Sequence, residues 1–370
     1  MTAVDTSRTR DVRPPSSRSR FAAAAYVVAV IVGAVFVLLN AQHGSLSEST
    51  RNPLGEHLPP PVTPLLHGFD WILFGQVMAT VLLAGTVIGV FWGWRRRPGH
   101  PFLLMVIASN TLCWFDPINN WAIGLVYNPR MWHFPQSWPW VRMSPIIEPL
   151  TSFVYAPYVL LPYLASMPTL RWLQRRRRPT SFVWRHPLVS LAGLTFAYGF
   201  VWDAAQEILL VRTQFLTYTR VVPFGSIFVG KNYQFPLLMA SGLITLTMIP
   251  AALLMYRDDR GRTQAEKIAQ RFKLYVRRPL LATFLVMAVT LNVAFVCFST
   301  AFWVARVTGA ASSVACPWPY PEAKTWDPDG LYQQQGAPGP FTAGAASGVL
   351  ALQSHGRPQH IVPTSSRCAA

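Results

Sequence analysis

Seven apolar runs constrain this chain more than any other feature, because each reaches or approaches the roughly 20 residues needed to cross a hydrocarbon core. They lie at 21–39, 71–94, 101–115, 150–173, 187–211, 235–256 and 280–304. A backbone that crosses lipid must satisfy its own hydrogen bonds, so spans of this kind are helices. The expected fold is therefore all-α, a polytopic membrane bundle of about seven transmembrane helices, with its core inside the membrane. Hydrophobic residues make up 51% of the chain, which fits. The third run is short and the fifth contains acids.

Arginine placement orients the bundle. With a cytoplasmic N-terminus, 22 of the 32 lysines and arginines fall in the first tail, "RRRPGH", "RWLQRRRRPTSFVWR" and "RDDRGRTQAEKIAQRFKLYVRRP". The opposite orientation puts every dense cluster on the translocated side, so the positive-inside bias predicts a cytoplasmic N-terminus, an outer C-terminus and residence in the cell membrane. The net charge of +17 then reads as topology and contact with anionic lipid. Nucleic acid is not an expected partner, since the basic runs hug span ends and form no recognition fold.

Residues 1–20 are polar and rich in Arg, Ser and Pro, which predicts a disordered basic tail. The run at 21–39 is longer than a typical signal-peptide core and no clear small-x-small site follows it, so it reads as a span. From 308 to 370 the chain is rich in Ala, Gly, Pro and Ser, and a disordered tail is expected. Residues 21–307 are then one membrane domain. Cys113 and Cys297 lie in spans as small apolar residues, while Cys316 and Cys368 share the outer tail and could pair there.

The acids carry the chemistry. Most of the fifteen Asp and Glu residues sit in exposed segments, but Asp116, Glu148, Asp203 and Glu207 gather at one depth near the outer face. Asp203 and Glu207, in "FVWDAAQEILLVR", stand four residues apart and share one helical face. Two carboxyl groups in a low-dielectric pocket oppose each other's ionisation, so one can donate a proton at neutral pH while the other accepts. The alternative is that Arg212 or Arg220 neutralises the pair and the group only locks helices together.

"FDPINNW", residues 115–121, reads similarly. A proline after Asp116 disfavours helix at the aspartate, and irregular backbone at membrane depth persists only around a protein-lined or wet cavity. Asn119 and Asn120 supply polar groups there. The outer stretch 116–149 is expected to be an aromatic loop, with Trp121, Tyr127, Trp132, Phe134, Trp138 and Trp140 forming either an interfacial belt or a lid over an apolar ligand. Beyond the fifth span, Tyr218, Arg220, Lys231, Asn232, Tyr233 and Gln234 suit a polar cap on a pocket or a plain surface loop. No histidine pair or Cys/His cluster has metal-ligand spacing, and no phosphate loop or nucleophile elbow is present.

"FDPINNWAIGLVYNP", "IIEPL", "WDAAQEILLVRTQFLTY", "GKNYQFPL" and "YRDDRGRT", in that order, resemble the AveC-type spirocyclase family of actinobacterial membrane proteins over about residues 65–305. The resemblance implies closure of a dihydroxy-ketone polyketide into a spiroketal, in macrolide biosynthesis, with an added dehydration in one case and no dissociable cofactor. Its implied partner is an apolar polyketide or lipid-like molecule, beside membrane lipids. Many relatives have no assigned substrate. Asp203 and Glu207 are then expected as the acid/base pair and Asp116 as stabiliser or second base. Asn119, Asn120, Glu148, Arg212, Tyr233, Trp121 and Trp202 are expected to hold and cover the substrate. The alternative from another class is a membrane protein that binds or transports a lipid- or sterol-like ligand through the same carboxylates and catalyses nothing.

Overall fold

A computed structural model of the chain describes residues 68–128, 131–134, 147–258 and 260–315, together with 138, 141, 144–145, 325–326 and 341–342. The expected first span, the basic tail, Cys316 and Cys368 lie outside the described residues. Among the described residues six helices are long and apolar enough to cross a membrane. Helix α1 is Trp71–Arg96. Helix α2, Pro101–Asn110, passes through a 3-10 turn, Thr111–Phe115, into α3, Asp116–Ile123. A 3-10 turn, Leu150–Val154, opens α4, Tyr155–Arg176. Helix α5 is Pro187–Arg212. A π-helical turn, Leu238–Gly242, leads into α6, Leu243–Met255. Two short helices, α7 (Gln264–Ala269) and α8 (Lys273–Arg277), precede α9, Pro279–Val307. The chain is an all-α polytopic membrane bundle.

Local chemistry sets the ends of these helices. Asp70 Oδ1 accepts the Leu73 N–H at 3.1 Å and caps α1, and prolines open α2, α5 and α9 where no N–H donor is needed. The arginine-rich turns all fall at one end. There His100 Nε2 meets Arg257 at 2.9 Å, and Asp258 pairs with Lys267 at 3.1 Å, below the Thr263–Glu266 capping box of α7. Asp258 is held below the usual carboxylate range, chiefly by the Arg262 N–H it accepts.

The core runs between α2, α4, α6 and α9, through Met105, Leu112, Met248 and Phe295. Helix α5 approaches α6 at Gly199, where an added Cβ would lie 2.7 Å from Thr245, so a small residue sets that helix spacing. Helix α1 lies at the perimeter, with only Ile72, Gln76 and Val90 buried. Exposed apolar side chains such as Val289 and Val293 on α9 suit lipid.

At the other end the chain folds into two small ribbons. Strand β1 (Leu125–Tyr127) pairs antiparallel with β2 (Leu216–Tyr218), and β3 (Arg220–Val221) with β4 (Ser313–Val314). The expected break at Asp116 takes another form. Asp116 is α-helical (φ −58°, ψ −42°), and the segment continues to Ile123 before Gly124, at φ +73°, turns it into β1. Pro117 sits in the first turn of α3, where its missing N–H has no helical role, and the 3-10 turn before it absorbs the irregularity. The outer stretch therefore starts as helix, and its loop begins after Ile123.

Candidate functional site

Helix α5 carries Asp203 and Glu207 on one face, one turn apart, toward α4, α6 and the ribbons. Asp203 is only 1% exposed. Tyr158 donates its hydroxyl to Asp203 Oδ1, whereas Oδ2 is buried with no hydrogen-bond partner among the described residues. Ser241 Oγ, from the π-helical turn, lies close by but outside hydrogen-bond geometry and is likewise unpartnered. Glu207 is half-buried and accepts a hydrogen bond from Tyr218 at 2.9 Å.

A second carboxyl pair forms across two segments. Asp116, at the start of α3, accepts the Tyr155 hydroxyl at Oδ1. Glu148, in the stretch before α4, lies within hydrogen-bonding reach of Asp116. Asn120 Nδ2 bridges them, donating at 2.9 Å to Glu148 and at 3.4 Å to Asp116. Ser144 and Ser152 each donate to Glu148 at 2.5 Å. Burial, and then the Asp116 carboxylate, push Glu148 well above the usual carboxylate range, against the pull of the two serines. A carboxyl so placed resists losing its proton.

Tyrosines connect the two pairs. Tyr155 and Tyr158, one helical turn apart on α4, contact edge to face with ring centroids 6.4 Å apart and serve one pair each. Tyr127 and Tyr218 lie on the same face of the β1–β2 ribbon, since Leu125 opposes Tyr218 and Tyr127 opposes Leu216. Burial, followed by the surrounding carboxylates, raises both of these phenols well above their usual range, so they stay neutral donors. The arrangement can donate and accept protons at several points in a setting screened from bulk water. Among the described residues no group of three or more His, Cys, Asp or Glu gathers as a metal site.

The other expected residues scatter. Asn120 is central, but Asn119 turns to α9 and accepts the Ser299 hydroxyl at 2.7 Å. Trp121 gives its carbonyl to Arg306, while its indole N–H is buried without a partner among the described residues. Arg212 stacks over the rings of Tyr233 (4.4 Å) and Phe228 (5.8 Å), so it stands at the rim with Tyr233 and is not seated on the acid pair. Trp202, 37% exposed, points outward from α5. Sequence reasoning missed Tyr155, Tyr158, Ser144 and Ser152. The Y-x-x-Y spacing that begins five residues after "IIEPL" was the available signal, but tyrosines at a span end read first as interfacial anchors.

A family model described as "Spirocyclase AveC-like" matches residues 94–326, which include both carboxyl pairs and all four tyrosines. No curated protein and no solved structure matches the chain.

Proposed function

Because the chain belongs to the AveC-like spirocyclase family, we propose that it is a membrane-embedded, cofactor-independent spirocyclase that closes an apolar dihydroxy-ketone polyketide into one spiroketal stereoisomer with loss of water. The observation that carries this reading is the presence of two carboxyl pairs, buried except for the half-buried Glu207 and each supplied by tyrosine donors, at one end of the bundle. Six spans support a membrane setting. The arginine clusters support a cytoplasmic face at the opposite end, in the cell membrane, with the site toward the outside.

The chemistry needs protons moved in balance. One substrate hydroxyl adds to the ketone carbon, its proton passing to a carboxylate while the ketone oxygen takes a proton from a carboxylic acid, and a hemiketal results. Protonation of the hemiketal hydroxyl releases water and leaves an oxocarbenium ion. The second hydroxyl then attacks and loses its proton to a carboxylate, so the net change is loss of one water. Asp203 and Glu207 serve as acid and base. Asp116, with Glu148 beside it, stabilises the cation through its negative charge. Asn120 fixes that pair, and Arg212 and Tyr233 border the site. The same proton transfers suit a dehydration of the product.

The test uses membranes holding the native protein or its Asp203→Asn/Glu207→Gln variant, incubated with a dihydroxy-ketone macrolide precursor and followed by chromatography and mass spectrometry. One enriched spiroketal isomer, lost in the variant, is expected. The spontaneous mixture from both proteins would overturn the assignment. Saturable retention of the precursor without product, abolished by the same substitutions, would instead make the protein a binder or carrier of lipid-like molecules.

A further inference from the structure

Three of the four tyrosines around the acids already have their protons engaged. Tyr155 donates to Asp116, Tyr158 to Asp203 and Tyr218 to Glu207. Tyr127 differs, since its hydroxyl makes no hydrogen bond among the described residues and the side chain is half-buried, so it is not sealed in packing. Its position is nevertheless firm. The β1–β2 register holds the backbone on both sides, and Asn128, the next residue, bonds the Phe215 carbonyl through its N–H (2.9 Å) and the Gln214 carbonyl through its side chain (3.0 Å).

The phenol shares its ribbon face with Tyr218, the donor to Glu207, and also lies in the field of Asp116 and Glu148. Two fully buried atoms of the same cluster also lack partners among the described residues, namely Asp203 Oδ2 and Asn120 Oδ1. Both are acceptors, and native proteins rarely leave such atoms unsatisfied without a ligand or water to fill them. The cluster therefore offers one uncommitted donor together with two uncommitted acceptors. A ketone flanked by hydroxyls presents the complement: an acceptor between donors.

Resting on the spirocyclase reading of this site, we propose that Tyr127 is a catalytic residue that donates its phenolic hydrogen to the ketone oxygen of the substrate, with the substrate hydroxyls directed to Asp203 and Asn120. The hydrogen bond polarises the carbonyl and holds its carbon beside the acid pairs, and it strengthens as negative charge grows on oxygen during hydroxyl attack. Tyr127 keeps its proton throughout. The transferred protons move between substrate and carboxyl groups.

The test uses the full chain in lipid nanodiscs and a long-chain symmetrical ketone carrying ¹³C at the carbonyl, which cannot cyclise. Isotope-edited infrared difference spectra should show a bound carbonyl band shifted to lower frequency in the native protein and in Tyr198→Phe, whose phenol is on the α4–α5 outer surface. Tyr127→Phe should lose the shift. With a dihydroxy-ketone precursor, Tyr127→Phe should lower kcat about 10²-fold with KM changed less than about threefold. If Tyr127→Phe does not fold, 3,5-difluorotyrosine at position 127, a stronger donor, should move the band further down. A native band that persists in Tyr127→Phe, or that difluorotyrosine leaves unmoved, overturns the inference. The shift with no cyclisation by the native protein would leave Tyr127 as the ketone donor of a binding site and remove the spirocyclase reading. Cyclisation by the native protein that Tyr127→Phe leaves intact would do the reverse.

Discussion

Asp203 and Glu207 come from a single helix, whereas Asp116 and Glu148 are brought together from α3 and the irregular stretch before α4. The first pair is spaced by helix geometry and, among the described residues, is under-supplied, with one tyrosine for each acid and one buried carboxylate oxygen without a partner. The second is heavily supplied, by Tyr155, Asn120, Ser144 and Ser152, and its members also reach each other. Buried acceptors without partners leave room for a ligand, while acceptors already filled hold a charge state and a shape. On the proposed reading, proton transfer falls to Asp203 and Glu207 and charge placement to Asp116 and Glu148.

The largest effect should come from the tyrosines that serve the two pairs. Tyr158→Phe removes the one hydrogen bond that Asp203 makes among the described residues, and cyclisation should slow by about 10²-fold in nanodisc rate measurements. Tyr155→Phe leaves Asp116 its contact with Asn120, and the loss should be nearer about tenfold. Both variants keep the ring, so the edge-to-face contact between them survives. Equal losses, or the reverse order, would break the comparison and move proton transfer to the second pair.

Next comes Asn120, the residue that makes the second pair a unit. Asn120→Ala strips one donor from each of two buried carboxyl groups that keep their hydroxyl donors, and a lost hydrogen bond to such a group costs about 1–3 kcal/mol. The thermal midpoint in detergent should fall accordingly. The matching change near the first pair, Ser241→Ala, removes a hydroxyl that is unpartnered and should leave the midpoint nearly unchanged. A large fall in Ser241→Ala would show that the first pair is also built for stability.

The difference between the pairs also explains what the sequence discloses. Bilayer thickness sets span length, so the runs at 187–211 and 280–304 became helices Pro187–Arg212 and Pro279–Val307 with small extensions at their ends. Asp203 and Glu207 were legible together because helical periodicity is local. Asp116 and Glu148 were legible only as acids at a common depth, since their meeting depends on how α3 folds back past the start of α4. The tyrosines were hidden by ambiguity, because a phenol at a span end suits a lipid interface as well as a carboxylate. At Asp116 the rule that disfavours helix before proline gave way, because Pro117 falls in a first helical turn.

The last expected effect concerns pH and is read at Glu148. Its carboxyl is held well above its ordinary value of 4.5, first by burial and then by Asp116. In the unfolded chain the group loses its proton as pH passes 4.5, whereas in the folded chain the proton stays. The folded state therefore holds more protons above that point, and stability is fullest below pH 4.5 and declines as pH rises toward the folded value. The slope from one group is at most about 1.4 kcal/mol per pH unit. Glu148→Gln cannot ionise, retains an oxygen for Ser144 or Ser152, and spares Asp116 a neighbouring charge. Melting scans between about pH 5 and about pH 8 should show the native midpoint falling with pH and the Glu148→Gln midpoint falling less, by about 2–4 °C for each kcal/mol recovered. If the variant falls as steeply as the native protein, Glu148 is ionised in the fold. The second pair would then carry two negative charges, and its division of labour with Asp203 and Glu207 would have to be drawn the other way.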